Sequence, residues 1–596
     1  MNEQTLSDND IFLKKLFNKH VISSMIVIFG VMASVMANSV IAGRFFGTAG
    51  LAVMSVGAPF YFIFAMIGSL TGVGGSILTS YALGRDNIKN ANESFTLSVI
   101  LSAAISIAVE IILLIFLQPI LYLLGCSETI FETAYTYSAI FVVGGFGVTM
   151  SYLPYNFFKL TGRLKWQTNL FLGMAAANVI LDKICVKVFG MGIEGIALGT
   201  IIASIGASIL GLKLLVKNDF VFVRNFDFKS ALTLLKLGTP PALNNLMIFL
   251  RLAIMNRIIV AAAGSVGLAA FSVFSALENF SLVILSGLAQ ATSAFVGVFT
   301  KEMDTVSVRR IEIRAHILGM ILTGIFMAVI MIFPAEICIL FGINDSEQLE
   351  VASNAVFIFA FSLPPSVCYF LMFFYYQAAG FTSLANVITF CRSFLFFVVP
   401  AYFLTPIYGL SATWASLTIA SISPFFVMLA AFPYYFKKGY SGIFLQDLHA
   451  EKDGTYISFA VKTTTDEIIE NVDKIATFCK QNELKETEIM LVKLSMEEMM
   501  MSIKDHCFKE NADETMDVRI LIAKKSLVLR IRNGGKLFNP IDYYQRLKEE
   551  DPLAMGDALG ISMIVKVASE VHYKTTFGVN NLTVIIDRKE AFHDVH

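Results

Sequence analysis

Between about residue 20 and residue 435 the chain alternates long apolar runs with short polar breaks, and after about residue 437 that pattern stops. A helix that crosses a bilayer needs about 20 mostly apolar residues. The runs predict spans near 20–43, 51–82, 93–118, 131–159, 168–189, 193–215, 238–262, 266–299, 312–335, 349–378, 384–405 and 409–435. Several are longer than one crossing requires and are expected to tilt or extend past the lipid. From about 455 the order becomes strand, helix, helix, two or three strands, loop, helix and further strands, which predicts an α+β sandwich. The expected fold is an all-α polytopic membrane protein of about 12 transmembrane helices, followed by that smaller domain. Its expected parts are an N-terminal segment 1–19, a first six-helix lobe 20–218, a linker 219–236, a second six-helix lobe 237–436, a linker 437–454 and a C-terminal domain 455–596.

The two lobes repeat one another. 'GTAGLAVMSV' (47–56) aligns with 'GSVGLAAFSV' (264–273) at a shift of 217, and the same shift carries 'GIEGIALGT' (192–200) onto 'GLSATWASL' (409–417). A shift of 218 places 'KLTG' (159–162) on 'QAAG' (377–380). With six helices per half both halves keep the same orientation, so they are parallel repeats with a site expected at their interface.

Composition agrees. The chain is 56% hydrophobic and 15% charged, against about 25% charged in soluble domains, and its 53 Phe suit a lipid-facing surface. A net charge of −1 without a basic stripe argues against a nucleic-acid partner. The seven Cys are scattered, which argues against a disulfide framework or zinc knuckle and leaves Cys479 and Cys507 as reduced thiols. The N-terminus lacks the pattern of a cleaved signal peptide, so the first apolar run is expected to stay as helix one. Lys14, Lys15, Lys19, Arg85, Lys89, Lys159, Arg163, Lys165, Lys301, Arg309, Arg310, Lys437 and Lys438 fall on one side of the predicted spans, and 'CSETIFE' and 'NDSEQLE' on the other. Excess Lys and Arg marks the cytoplasmic side, so both termini are expected in the cytosol and the bundle in the cytoplasmic (inner) membrane.

The segments 'NSVIAGRFFGTAGLAVMSVGAPF' (38–60), 'YALGRDNIKNA' (81–91), 'KLTGRLKWQTNLFLGMAAANVILD' (159–182), 'LKLGTPPALNNL' (235–246) and 'YYQAAGFTSLANVI' (375–388) resemble the multidrug and toxic compound extrusion (MATE) transporters. The resemblance implies a V-shaped twelve-helix antiporter that expels amphipathic, often cationic compounds in exchange for H⁺ or Na⁺, with no cofactor needed for transport. An ionisable group at membrane depth is costly and is a functional candidate by default. Asp182 forms an i, i+4 pair with Asn178 and matches the family's Asn-x-x-x-Asp, which assigns it ion coupling; the plainer alternative is pairing with Lys183 or Lys187 at the helix end. Family members commonly carry an acid in helix one, where this chain has Asn38, which cannot titrate but could donate a hydrogen bond or ligate Na⁺. Tyr152, Asn156, Asn244, Arg251, Glu278, Tyr376 and Arg392 are candidates for lining a cavity, and Arg251 could instead pair with Glu278. Arg392 stands where the family often has Arg, and a cation there disfavours cationic cargo and favours anionic or zwitterionic cargo.

In the C-terminal domain, 'VKLSMEEMMMSIKDHC' (492–507) reads as a helix with Glu498, Ser502 and His506 at i, i+4 and i+8, 'VLRIRNGGKLFNP' (528–540) as a strand entering a Gly turn, and 'DALGISMIVKVASEVHYKTTFGVNNLTVII' (557–586) as a Gly-opened helix and hairpin. This order resembles the GHKL ATPase fold, in its anti-sigma-factor serine-kinase branch. There Glu-x-x-x-Asn-x-x-x-His supplies a general base and a Mg²⁺ ligand, and Asp-x-Gly reads adenine. Glu498 and His506 match, Ser502 replaces the Mg²⁺-binding Asn, Asn533 replaces the adenine-reading Asp with Gly535 kept, and 'ALGIS' around Gly560 is poor in glycine for a phosphate lid. Three expectations stay open: a degenerate module for a cytosolic regulatory protein or for homodimerisation, ATP or ADP binding with Mg²⁺ without turnover, and residual serine-kinase activity in 455–596. A hydroxyl is a poor Mg²⁺ ligand, and phosphoryl transfer without held Mg²⁺ loses its main charge stabiliser.

The leading expectation is a secondary antiporter with a degenerate regulatory domain, not an enzyme. The rivals are a lipid-linked precursor flippase of the same superfamily and a membrane-tethered sensor.

Overall fold

The computed structural model describes residues 3–83, 88–161, 163–224, 230–301, 304–447, 454–508, 514–523, 526–536, 538–550, 559–576 and 579–588. The first half comprises α1 (Glu3–Gly68), α2 (Gly74–Leu83), α3 (Ile88–Ile115), α4 (Leu117–Leu123), α5 (Phe131–Val143), α6 (Gly145–Leu160), α7 (Leu164–Lys183) and α8 (Glu194–Asn218). The second comprises α9 (Ser230–Lys301), α10 (Thr305–Ile332), α11 (Pro334–Leu340), α12 (Ser346–Ala360), α13 (Leu363–Ala378), α14 (Thr382–Phe390), α15 (Phe396–Tyr408) and α16 (Leu410–Lys437).

Eight helical stretches among the described residues are long and apolar enough to cross a membrane, and two bent pairs (α5 with α6, α12 with α13) raise the number to ten. Two of the eight, His20–Leu83 and Pro241–Gly297, hold 64 and 57 residues. At 1.5 Å per residue each is far longer than the ~30 Å hydrocarbon core. Each also breaks midway: Gly47 has φ 62°, ψ −153° in α1, and Ala263–Gly264 break α9, Gly264 with φ 57°, ψ −144°. Positive φ costs glycine little and other residues more, so the two glycines that open the repeated 'GTAGL' and 'GSVGL' are the turns between the first two spans of each half. Counting both long stretches as two crossings restores twelve.

The repeat is visible in the backbone. Shifting α3 and α4 by 217 residues reproduces the bounds of α10 and α11. The bend at Gly144 falls on that at Phe361, and Gly125 (φ 89°) on Gly342 (φ 84°). The core of the bundle draws on both halves, with Phe60 and Phe64 of one and Phe274 and Trp414 of the other all buried.

After a two-stranded ribbon (β1 Tyr440–Ser441, β2 Gln446–Asp447), the C-terminal domain is built from β3 (Gly454–Lys462), α17 (Thr465–Gln481), α18 (Glu486–Cys507), β4 (Thr515–Ala523), β5 (Ser526–Asn533), α19 (Pro540–Glu550), α20 (Leu559–Val567), β6 (Glu570–Thr576) and β7 (Val579–Asp587). Its antiparallel sheet runs β3-β4-β5-β7-β6. Successive strand residues face opposite sides. Met516, Val518 and Ile520 of β4, with Leu527, Leu529 and Ile531 of β5, bury one face in a core shared with Val472, Ile475, Val492, Met496 and Ile564 of the helices.

The chain forms two compact units. One is Ser23–Ser293 with Glu312–Ala431, the helical bundle; the other is Phe432–His596 together with Met1–Ile22 and Ala294–Ile311. The end of α9 and the start of α10 thus belong to the C-terminal domain's unit and not to the bundle, a division that the apolar runs did not predict.

Candidate functional site

In the first half, α7 delivers Asp182 to a fully buried position, 0% exposed. One turn earlier, Asn178 Nδ2 donates to both carboxylate oxygens (3.3 and 3.4 Å) and to Thr200 Oγ1 of α8 at 3.0 Å. From α1, Ser34 Oγ donates to Asn178 Oδ1 at 2.8 Å. Asn38 satisfies its neighbours with its amide nitrogen toward the carboxylate, 2.7 Å from Asp182 Oδ2 and 3.0 Å from Asn178 Oδ1. Lys183 and Lys187 are exposed, and no ion pair joins them to Asp182 among the described residues. Asp182 is therefore surrounded by neutral oxygens and amides from three helices, a set that suits a carboxylate exchanging a small cation. The helix widens into a π-helical turn at Ile184–Val188, directly after this residue, and such turns are frequent at functional sites.

Close packing leaves room for little else. A Cβ added to Gly199 on α8 meets Asp182 Oδ1 and the Asp182 backbone nitrogen. Gly199→Ala is expected to destabilise the bundle by about 1–3 kcal/mol, read as a lowered melting temperature in detergent.

In the second half, α9 brings together two of the predicted cavity residues. Arg251 pairs with Glu278 through both guanidinium nitrogens, at 3.1 and 3.3 Å. Arg392, in the π-helical turn Cys391–Leu395, approaches the same Glu278 oxygen at 4.0 Å. Aromatic faces complete the enclosure: Phe397 beside Arg251, Tyr369 and Phe370 beside Arg392. Two cations share one anion, and the buried Nε–H groups of both arginines have no hydrogen-bond partner among the described residues. Tyr152 and Asn156 lie on α6, with Asn156 Nδ2 donating to the Tyr152 carbonyl at 2.7 Å and the Tyr152 ring against Gly68 of α1. Asn244 is half-buried on α9, next to Asn245, whose Nδ2 donates to Ser69 Oγ at 2.9 Å. Tyr376 is buried at the end of α13 against Tyr375 and Phe381.

The predicted nucleotide residues are arranged differently from an open nucleotide cleft. Glu498 is exposed on α18, and Ser502 Oγ is buried without a hydrogen-bond partner. The His506 ring is stacked on Phe538, centroids 4.1 Å apart, with Tyr543 at 4.8 Å. Asn533 Oδ1 accepts from the Gly535 amide (3.1 Å) and from Asn580 Nδ2 (3.0 Å), which engages both lone pairs that would read an adenine amino group. The Lys536 amide donates to the Cys507 carbonyl at 2.8 Å, pinning the Gly turn to the end of α18. Gly560 is in the first turn of α20, and the residues preceding that helix, 551–558, lie outside the described ones. Ser502 and Asn533 thus depart from the Mg²⁺ ligand and the adenine reader that the resemblance implies.

Sequence reasoning missed a second charged cluster, on the face of the sheet turned away from the helices. Asp517 and Arg519 on β4 stand opposite Arg532 and Arg530 on β5, and all four are buried. Asp304, from the α9–α10 connection in the same compact unit, pairs with Arg519, Arg530 and Arg532. Charges at alternate positions in 'DVR' and 'RIR' were the available signal; their partner more than 200 residues away was not. Burial is the largest influence on Asp517 and, with the neighbouring Asp304 charge, overrides Arg530 and Arg519, so its carboxyl is pushed up to about 6. Asp304 is as deeply buried, yet Arg530, Arg519 and the Ser307 amide hold it below the usual carboxylate value. A raised carboxyl keeps a proton that the unfolded chain has released. Stability is therefore expected to fall as pH rises from about 4 to about 6, by up to roughly 3 kcal/mol. Asp304 acts in the other window, losing stability below about pH 4. Melting curves at pH 4 and pH 6 for wild type and Asp517→Asn test this; the slope between them should flatten in the variant.

Comparison with known proteins places these features. The MatE family model matches residues 23–184 and 240–403, and that of the histidine kinase-like ATPase domain matches 462–586. The multidrug export protein MepA of Staphylococcus aureus is 24% identical over 246 residues, which is 40% of this chain and 54% of MepA. The chain thus spans about half the length of the curated relatives it matches. Two solved structures share the fold of the bundle. An inward-facing multidrug resistance MATE transporter of the MOP superfamily has a TM-score of 0.63 at 19% identity, over 70% of this chain and 98% of its own. A MOP superfamily transporter from Pyrococcus furiosus, described as having a binding pocket of reversed polarity, has a TM-score of 0.57 at 19% identity, over 72% and 96%. With its two halves matched across more than half of its length, this chain belongs to the MatE family and joins that multi-pass membrane fold to a histidine kinase-like ATPase domain.

Proposed function

We propose that the protein is a secondary antiporter that exports amphipathic small molecules in exchange for H⁺ or Na⁺. Asp182 is the coupling residue, and Asn178 and Asn38 form the rest of its ion site. The observation that carries this reading is a buried carboxylate held by Asn178 of α7 and Asn38 of α1, with Thr200 of α8 bonded to Asn178, and with no basic partner among the described residues. A proton or Na⁺ neutralises it there; once the ion leaves, the charge must be stabilised by rearrangement of the same amides. Such a rearrangement is how occupancy can bias one access state over another. The similarity to a protein named for multidrug export supports the substrate class. The distribution of Lys and Arg supports a cytosolic location for both termini, and with them the C-terminal domain. The test is export of ethidium from everted vesicles under an imposed pH or Na⁺ gradient; the gradient that drives it identifies the ion.

A second reading of the cargo has its own observation. The Arg251–Glu278–Arg392 cluster carries an excess positive charge, which favours anionic or zwitterionic compounds over cations. Competition of ethidium export by an anionic and by a cationic dye of similar size separates the two.

The C-terminal domain is proposed to regulate through protein contacts, without phosphoryl transfer. The engaged Asn533 and the pinned Gly turn support this. Titration of the full chain in detergent with a fluorescent ATP analogue and Mg²⁺ is expected to show no saturable binding below millimolar concentration. Micromolar binding would overturn it.

A further inference from the structure

The C-terminal domain's compact unit contains pieces of both halves of the bundle: the start of α1, from the first, and the end of α9 with the start of α10, from the second. These pieces meet directly. Phe17 and His20 of α1 pack on Phe295 of α9, with ring centroids 6.2 and 5.4 Å apart. One turn on, Phe299 lies under the Arg532 guanidinium at 4.0 Å. Asp304 then enters the arginine socket, 3.0 Å from Arg530 and 3.4 Å from Arg532, with Arg519 closing on its other oxygen. That second oxygen also accepts from the Ser307 amide at 3.1 Å, so the same carboxylate caps α10. Asp304 is 2% exposed, and Arg519, Arg530 and Arg532 are 6%, 3% and 1% exposed.

Charge makes this seat selective. Removing Asp304 takes a carboxylate partner from three buried guanidiniums at once. A buried ion cluster adds little net stability over an apolar contact, but removing one member is strongly destabilising. An apolar or basic segment could not replace the α9–α10 connection here.

We propose that this seat is a latch. The domain fixes the α9–α10 connection through Asp304, and Phe17 and His20 of α1 pack on that fixed segment. The latch thereby ties the start of α1, from the first half, to the α9–α10 connection, from the second. Alternating access in a two-repeat transporter needs the repeats to part at each face in turn. A seated domain therefore slows export, and unseating it speeds export. The latch rests on the transport reading above; the seat itself does not.

Asp304→Asn tests it, because Asn caps a helix about as well as Asp while the substitution removes the charge and turns one oxygen that accepts from the arginines into a donor. The full-length wild type, Asp304→Asn, Asp304→Glu and the control Glu336→Gln are reconstituted. Two measurements are made on each: hydrogen exchange across 515–523 and 526–533, and the initial rate of ethidium export. Asp304→Asn is expected to speed exchange of the two strands at least tenfold and to raise the export rate severalfold. Asp304→Glu should fall between it and wild type, and Glu336→Gln should match wild type in both. Unchanged exchange in Asp304→Asn overturns the seat. Faster exchange with an equal or lower export rate overturns the latch and leaves the seat as packing. If no protein, wild type included, exports ethidium, the transport reading fails and the latch with it, while exchange still decides the seat.

Discussion

Asp182→Asn is expected to lower gradient-driven ethidium export by roughly 5- to 150-fold, the range of a coupling free energy of 1–3 kcal/mol, while leaving the protein folded. The substitution keeps the shape of the side chain. Asn178 Nδ2 and the Asn38 amide, which now donate to the carboxylate, can still find the remaining carbonyl oxygen. What disappears is the charge that a cation neutralises. The two access states then no longer differ in ion affinity, and a gradient has nothing to act on. Binding of the dye, measured by fluorescence polarisation, should persist within a few fold. Export by the variant at the wild-type rate would sink the assignment of Asp182; loss of dye binding together with export would make it a substrate residue.

Glu278→Ala is expected to cause the largest loss of stability, about 3–5 kcal/mol. Glu278 is the anion shared by Arg251, at 3.1 Å, and Arg392, at 4.0 Å. Both arginines are buried, 8% and 6% exposed, so removing the carboxylate leaves two largely desolvated cations without their shared anion. Arg251→Met in the same chain should recover part of the loss, since Met fills the volume against Phe397 without a charge. Thermal unfolding in detergent measures both. If Glu278→Ala melts within a degree or two of wild type, the cluster is solvated and does not hold the second half together. The ion pair and the proposed anion preference are separable, because Arg392→Lys keeps the charge and should weaken only the stacking on Tyr369 and Phe370.

Much of the bundle was legible in the chain because lipid imposes a simple rule. Backbone groups in hydrocarbon must bond within their own helix, so apolar runs of sufficient length specify helices whatever their neighbours are. The repeat was legible for a related reason: 'GTAGL' and 'GSVGL' carry the glycines whose positive φ makes the turn, and the same local geometry needs the same residue. The i, i+4 pairing of Asn178 with Asp182 follows from helix periodicity. Its third member, Asn38, reaches the carboxylate across 144 positions, and the resemblance to a family suggested it where spacing could not.

The sequence by itself determined the element types, the two halves, the α+β C-terminal domain and the residues too costly to bury without purpose. All of these follow from local periodicity and from the cost of placing charge in an apolar medium. Only the tertiary structure decided the partners. It placed Glu278 between two arginines, occupied Asn533 with Asn580, and seated Asp304 in the socket of Arg519, Arg530 and Arg532. Those contacts join residues far apart in the chain. The physical reason is that a charge states in sequence that it needs a counter-charge, but which one it meets depends on how whole helices and strands pack.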